Sequence, residues 1–266
     1  MEDYETLVVD QPRPGIAVVT LNRPQRMNAL SFLAFQELQR LSDQVADDDA
    51  IRVLVLTGAG RGFCAGLDLD DAARLSGMTV PEFLRGQESW GRAITSFHRL
   101  PKPVIAAVNG AAAGAGFSLT LAADVRIAAP TARFNAAFIR IGLTGGDCGS
   151  SWLLPRIIGL GLASEILLTG RFVDADEAAR IGLVNRVVPG DQLLDAALDL
   201  ADAMAANSPM GVRLTKQAVQ TNVAEPSLDV ALEVENRNQA LASRTEDMTE
   251  GLRAFREKRA PVFTGR

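Results

Sequence analysis

Two hydrophobic periods alternate along the first half of the chain. Residues 7–10 (LVVD) and 16–21 (IAVVTL) are short extended runs on either side of Pro12-Arg13-Pro14-Gly15, a pattern that predicts a hairpin. From residue 32 the spacing changes: Phe32, Phe35, Leu38, Leu41 and Val45 fall on one face of a helix that Ser31 can cap and that runs to about Ala46. IRVLVLTG (51–58) and VIAAVNG (104–110) are unbroken apolar runs of strand length ended by glycine, as in strands covered on both faces. ADVRIAA (123–129) adds another short strand. Between these, residues 70–100 read as polar and helical, broken by Gly77, Pro81 and Gly86, and as the most mobile stretch.

After residue 150 the chain turns helical. WLLPRIIG and ASEILLTG lead to a helix from Asp174, whose Asp-x-x-Glu spacing to Glu177 is a capping-box pattern, and then to a short strand LVNRVV (183–188). Helices are expected at about 191–206, 209–222, 227–242 and 246–258. The fold class is therefore α/β, with a core over residues 1–200 and a helical region over 201–266.

Composition narrows the chemistry. Apolar residues make up 47% of 266 positions, enough for a sizeable core, yet no run reaches the ~20 apolar residues of a membrane span. The acidic, proline-punctuated start (MEDYETLVVDQPRPG) lacks the pattern of a signal peptide, so a cytoplasmic protein is expected. Twenty-seven basic residues against thirty-two acidic ones, with no basic run, argue against nucleic acid or membrane as a partner. One histidine, His98, and two cysteines, Cys64 and Cys148, exclude a disulfide framework and the common zinc motifs, and no metal is expected. A GxSxG elbow, a GxGxxG fingerprint and a P-loop are all missing.

Two glycine-rich segments each follow a buried strand: GRGFCAGLDL (60–69) and NGAAAGAGFSL (109–119). Small residues on leaving a strand and entering a helix expose backbone N–H groups, and two converging donors make an oxyanion hole. The other reading is that they only let a helix pack closely on the sheet.

The segments NRPQRMNAL (22–30), GRGFCAGLDL, PKPVIAAVNGAAAGAGFSLTLAADVRIA (101–128), LLPRIIG (153–159), LLTGRFVDADEAARIGLVNRVV (167–188) and FREKRAPVF (255–263) together resemble the enoyl-CoA hydratase/isomerase, or crotonase, family, in order from about residue 5 to 263. The resemblance implies a crotonase-like spiral of strand-strand-helix units and a C-terminal helical region that closes the pocket and assembles a homotrimer or a dimer of trimers. It implies an acyl-CoA thioester as substrate, coenzyme A being part of that substrate and no cofactor being needed. By motif position, Leu67 and Ala115 supply the two N–H groups, with Gly114 beside them. The resemblance places Arg26 near the CoA phosphates, Cys64 and Ala65 near the adenine-bearing arm, Leu67 and Asp68 among the CoA contacts, Gly114, Phe138 and Gly142 along the substrate pocket, and Lys258 and Phe263 beside the ligand, from this subunit or a neighbour.

The chain departs from the family where hydration needs it most. The two glutamates of the hydratases fall at Ser118 and, four residues before Gly142, at Phe138. Neither replaces a carboxylic acid as proton donor and acceptor. One carboxylate remains nearby, Asp147, in a part of the chain where the family's dienoyl-CoA isomerases and dehalogenases carry a functional aspartate; it reads either as the base or as the cap of a helix starting near Cys148. Ser118 could assist through water, and Glu82 or Glu88 could supply a missing carboxylate. His98, Asp68 and Asp124 read as structural, and Cys64 and Cys148 as packing residues. The expectation is an enolate-stabilising enzyme of the hydratase/isomerase kind. Its rivals are an acyl-CoA-binding protein without catalysis and another enolate reaction such as decarboxylation or carbon–carbon cleavage.

Overall fold

The computed structural model describes residues 4–266. The opening hairpin pairs β1 (Leu7–Arg13) antiparallel with β2 (Ile16–Leu21), through a turn confined to Pro14 and Gly15 and thus tighter than the sequence suggested. Ser31 caps α1 (Phe32–Asp47), its side chain accepting the Ala34 N–H, and Phe35, Leu38, Leu41 and Val45 face the core as their spacing requires.

From there the chain repeats one unit: a strand in a first sheet, a three-residue strand in a second, then a helix. The units run β3 (Val53–Gly58), β4 (Gly62–Cys64), then α2 (Leu69–Leu75) and α3 (Val80–Arg99); β5 (Val104–Val108), β6 (Ala111–Ala113) and α4 (Ala115–Ala122); β7 (Val125–Ala128) and β8 (Arg133–Asn135), followed by α5 (Ser150–Ile158) and α6 (Leu160–Thr169). β9 (Val173–Asp174), α7 (Ala175–Arg180), β10 (Arg186–Val187) and α8 (Leu193–Ala205) complete the core. The first sheet has the order β1-β2-β3-β5-β7-β10, parallel except for β1; the second is β4-β6-β8-β9. This is the expected spiral of strand-strand-helix units.

Alternation along the strands explains why both faces are apolar. Val53, Val55, Ile105, Ala107 and Ile127 point to one side, where Leu193, Ala197, Leu198 and Ala201 of α8 cover them. Leu54, Leu56, Val104, Ala106 and Val108 point to the other, against α1, α3 and α4. Residue 200, the expected boundary, thus lies inside a helix packed on the sheet. Three expectations about local structure are corrected. Gly86 does not break α3 but sits inside it, where a methyl would lie 2.9 Å from the Trp90 ring. The strand expected over 183–188 shrinks to Arg186–Val187, and the helix expected near Cys148 starts at Ser150.

Three helices follow: α9 (Pro209–Asn222), α10 (Leu228–Ala242) and α11 (Glu246–Glu257). Lys216 of α9 docks on the core, its Nζ 2.7 Å from Asp124 and 3.0 Å from the Lys102 carbonyl. The tail folds back on α11, where Asp247 accepts the N–H groups of Thr264 and Gly265. Among the described residues no helix is long and apolar enough to cross a membrane.

Candidate active site

The second sheet brings both glycine-rich loops to the carboxyl ends of the buried strands. Two asparagines hold the first loop. Asn28, left-handed at φ +55° and 2% exposed, donates from Nδ2 to the carbonyls of Ala59 (2.9 Å) and Gly62 (2.8 Å) and accepts the Arg23 N–H (3.0 Å). Asn109 donates to the Gly58 carbonyl (2.9 Å) and accepts the Gly58 N–H (3.2 Å). Beyond them Leu67 forms a parallel bridge with Leu30: Gly66 O accepts the Leu30 N–H at 2.7 Å and Asp68 N donates to Leu30 O at 2.9 Å. Because a strand's bonding groups alternate in direction, this turns the Leu67 N–H to the opposite side. There, among the described residues, it makes no hydrogen bond.

The second donor comes from α4. Ala115 is its first residue, so its N–H has no acceptor within the helix; the ladder opens with the Ser118 N–H on Gly114 O at 3.0 Å. Every residue of α4 is buried, and its amino end adds a positive partial charge at the site. Gly114 enters at φ +53°, ψ −124°, a conformation that needs glycine. The two loops touch, since a methyl on Gly66 would lie 3.5 Å from Ala115 N and 2.8 Å from Ala113 O. A methyl on Gly116 would meet Cys64 O at 2.3 Å, so close packing and donor exposure are two results of one arrangement. Leu67 and Ala115 are therefore adjacent, with Ala65 exposed and Cys64 sealed beneath. Burial pushes the Cys64 thiol up to about 12, which makes it a packing residue.

Phe138 lies over this entrance, its ring 3.4 Å from where a Gly114 side chain would begin. Gly142 closes the short turn Ala137–Ile141 at φ +84°, with open space where its side chain would begin.

Asp147 is brought to the same place, and not as a helix cap: Gly149 caps α5. The left-handed residues Cys148 (φ +50°) and Gly149 (φ +86°) turn the chain sharply after it. Its Oδ1 accepts Cys148 N–H at 2.6 Å and Gln87 Nε2 of α3, and the carboxylate also meets the Cys148 thiol, which burial and this neighbouring charge hold protonated. Ser118, fully buried, donates its hydroxyl to the Asp147 main-chain carbonyl at 3.0 Å. It thus ties the Asp147 loop to α4. Sequence reasoning missed Gln87 altogether.

The remaining candidates disperse. Asp68 caps α2 through the Asp70 N–H (3.0 Å) and pairs with Arg23 at 2.7 Å. Burial alone would raise its carboxyl, but these two partners outweigh burial and hold it below the usual range. Arg26, at the surface, is paired with Asp70. Glu82 is committed to the capping box of α3 with Thr79, and Glu88 is exposed. Lys258 is the left-handed cap of α11. Phe263 gives its carbonyl to Arg52, just before β3, whereas the two donors lie beyond the far end of that strand. Within one chain, Phe263 is not part of the site.

Residues 12–266 match the family model described as Enoyl-CoA hydratase/isomerase. The chain is 46% identical over 263 residues to the Mycobacterium tuberculosis protein "Probable enoyl-CoA hydratase EchA12", covering 97% of this chain and 92% of that one. It is 42% identical over 267 residues to the 1,2-epoxyphenylacetyl-CoA isomerase of Escherichia coli, covering 97% and 98%. Among solved structures, an enoyl-CoA hydratase from Bacillus anthracis superposes with a TM-score of 0.93 at 37% identity, over 98% of this chain and all of that one.

Proposed function

The chain belongs to the enoyl-CoA hydratase/isomerase (crotonase) family, and from that premise we propose that it isomerises an unsaturated acyl-CoA thioester through an enolate. The thioester oxygen sits between the N–H groups of Leu67 and Ala115. There the developing negative charge gains about 2.7–4 kcal/mol from each donor. Asp147 takes a proton from the acidified carbon through Oδ2, the enolate delocalises along the acyl chain, and the half-buried carboxyl, which exchanges its proton with solvent, returns one at another carbon. Atoms balance without water, and no resident cofactor is required, since coenzyme A arrives with the substrate.

One observation carries this reading: a single carboxylate is tied to the first turn of α4 while the two other positions are a buried serine and a phenylalanine. One base suffices for a proton shift, whereas adding water across a double bond asks for two coordinated groups. Phe138 over Gly114 makes the entrance apolar, which favours a bulky or ring-derived acyl group, as in the substrate that the E. coli relative's name specifies. The exposed apolar residues Leu228, Leu241, Leu252 and Phe255 on α10 and α11 support assembly into trimers, which would carry Lys258 and Phe263 to a neighbour's site.

The test is deuterium uptake at the acyl carbons of a panel of saturated and unsaturated CoA thioesters in heavy water. Exchange by the wild type that falls at least ~100-fold in Asp147→Asn supports the reading. Thioester binding without exchange would identify an acyl-CoA-binding protein instead. Exchange that survives in Asp147→Asn would assign the base elsewhere.

A further inference from the structure

Asp147 is held at almost every polar atom it has. Its N–H donates to Ser150 Oγ (3.0 Å), its carbonyl accepts Ser150 N–H (3.0 Å) and the Ser118 hydroxyl (3.0 Å), and its Oδ1 accepts Cys148 N–H (2.6 Å) and Gln87 Nε2. The bonds to Ser118 and Ser150 fix the main chain. Cys148, the next residue, restricts the side chain only locally. Gln87 is the one partner of the carboxylate that comes from another element.

Gln87 is itself well supported. It stands one turn before Trp90, which is buried and stacks on Phe32 with ring centroids 4.9 Å apart; Ala93, Ile94 and Phe97 continue the anchored face. The amide therefore projects from a helix held in place by the core, whereas Glu88, next in sequence, is exposed.

We propose that Gln87 is the positioning residue of the site: by occupying Oδ1 it selects Oδ2 as the oxygen that moves the proton, and it fixes the carboxylate plane against the substrate. This rests on the assignment of Asp147 as the base. With the amide gone, Oδ1 keeps only the Cys148 N–H of the adjoining residue, and the carboxylate plane can tilt about its last torsion. A misplacement of about 1 Å at a reacting group costs on the order of a hundredfold in rate.

The experiment uses the same exchange assay with four proteins: wild type, Asp147→Asn, Gln87→Leu and Gln87→Glu. Gln87→Leu keeps the bulk of the side chain and removes the donor; exchange turnover is expected to fall ~10–100-fold. The dissociation constant for a saturated acyl-CoA should change by no more than about threefold, because ground-state binding does not use the base. Gln87→Glu can donate only when protonated. Its turnover relative to the wild type should be higher at pH 5.5 than at pH 8, since two adjacent carboxylates retain one proton between them only at the lower pH. Wild-type turnover in Gln87→Leu alongside an inactive Asp147→Asn overturns the role of Gln87 and leaves the base assignment standing. Equal loss of turnover and affinity in Gln87→Leu also overturns it, as a packing effect. A wild type without exchange, or an Asp147→Asn that still exchanges, removes the base assignment and the role of Gln87 together.

Discussion

The hydroxyl of Ser118 donates to the main-chain carbonyl of Asp147 at 3.0 Å, fastening the loop that bears the carboxylate to the helix whose first N–H points into the site. The free Ala115 N–H and the Asp147 loop are thus both held by α4. Ser118→Ala removes this tether while Ser150 N–H still satisfies the carbonyl. The expected stability loss in urea unfolding is ~1 kcal/mol, the net value of one ordinary hydrogen bond. Exchange should slow by a larger factor than thioester affinity weakens; equal slowing and weakening would mean that the tether serves the fold alone.

Ala115 allows one N–H to be removed without touching a side-chain function. Proline is tolerated at the first position of a helix because that N–H has no helical acceptor. Ala115→Pro should therefore fold, as judged by circular dichroism and a cooperative melt, and lose roughly a hundredfold in exchange turnover. Ala115→Gly keeps the donor and should stay within a few-fold of wild type. Similar activity in both variants would remove Ala115 from the oxyanion hole.

The central strands β3 and β5 of the first sheet could be read from the sequence because each is an unbroken apolar run covered on both faces, as VLVLTG and VIAAV show. Those of the second sheet could not. GFC, AAA and RFN are three residues each and carry no period; they become strands only by pairing with one another across long sequence separations. The same distinction runs through the site. A strand, a glycine-rich loop and a helix start are visible at 104–119, and the family resemblance singled out Leu67 and Ala115. Asp147 was visible as a lone carboxylate, but its release from helix capping depended on α5 beginning two residues later than expected. Gln87 left no signal, because one glutamine among the polar residues of α3 gains meaning only where that helix passes residue 147.

His98 gives stability an acid dependence that one substitution can isolate. Burial and the nearby Lys216 hold its imidazole below the ordinary value of 6.5, with Arg99 adding to them and Asp124 opposing. As pH falls through 6.5 the unfolded chain takes up a proton that the folded chain resists, so this part of the stability is full above 6.5 and is lost as pH drops toward the folded value. The carboxyls held low, such as Glu82 and Asp68, act only further into acid. With no other histidine in the chain, His98→Gln should flatten the fall in urea-unfolding stability between pH 7 and 5. An unchanged slope would assign the acid sensitivity to other groups.

Lys216 tests how firmly the C-terminal helices are seated. Its side chain is 8% exposed and bonds Asp124 at 2.7 Å and the Lys102 carbonyl at 3.0 Å. Burial holds the ammonium below its ordinary value, with Asp124 opposing, so the contact supports α9 only against a desolvation cost. Lys216→Met fills the same volume with an apolar chain and leaves Asp124 to the Val104 N–H alone, which already donates to it at 2.8 Å. The expected loss is ~1–3 kcal/mol, because a partly buried carboxylate loses its cation while keeping one donor. Adding Asp124→Asn removes the stranded charge and keeps an oxygen acceptor for Val104. The double variant should therefore lose less than the sum of the two singles, with a coupling of ~0.5–3 kcal/mol. Additive losses would show that the ion pair contributes no coupling and that apolar packing seats α9.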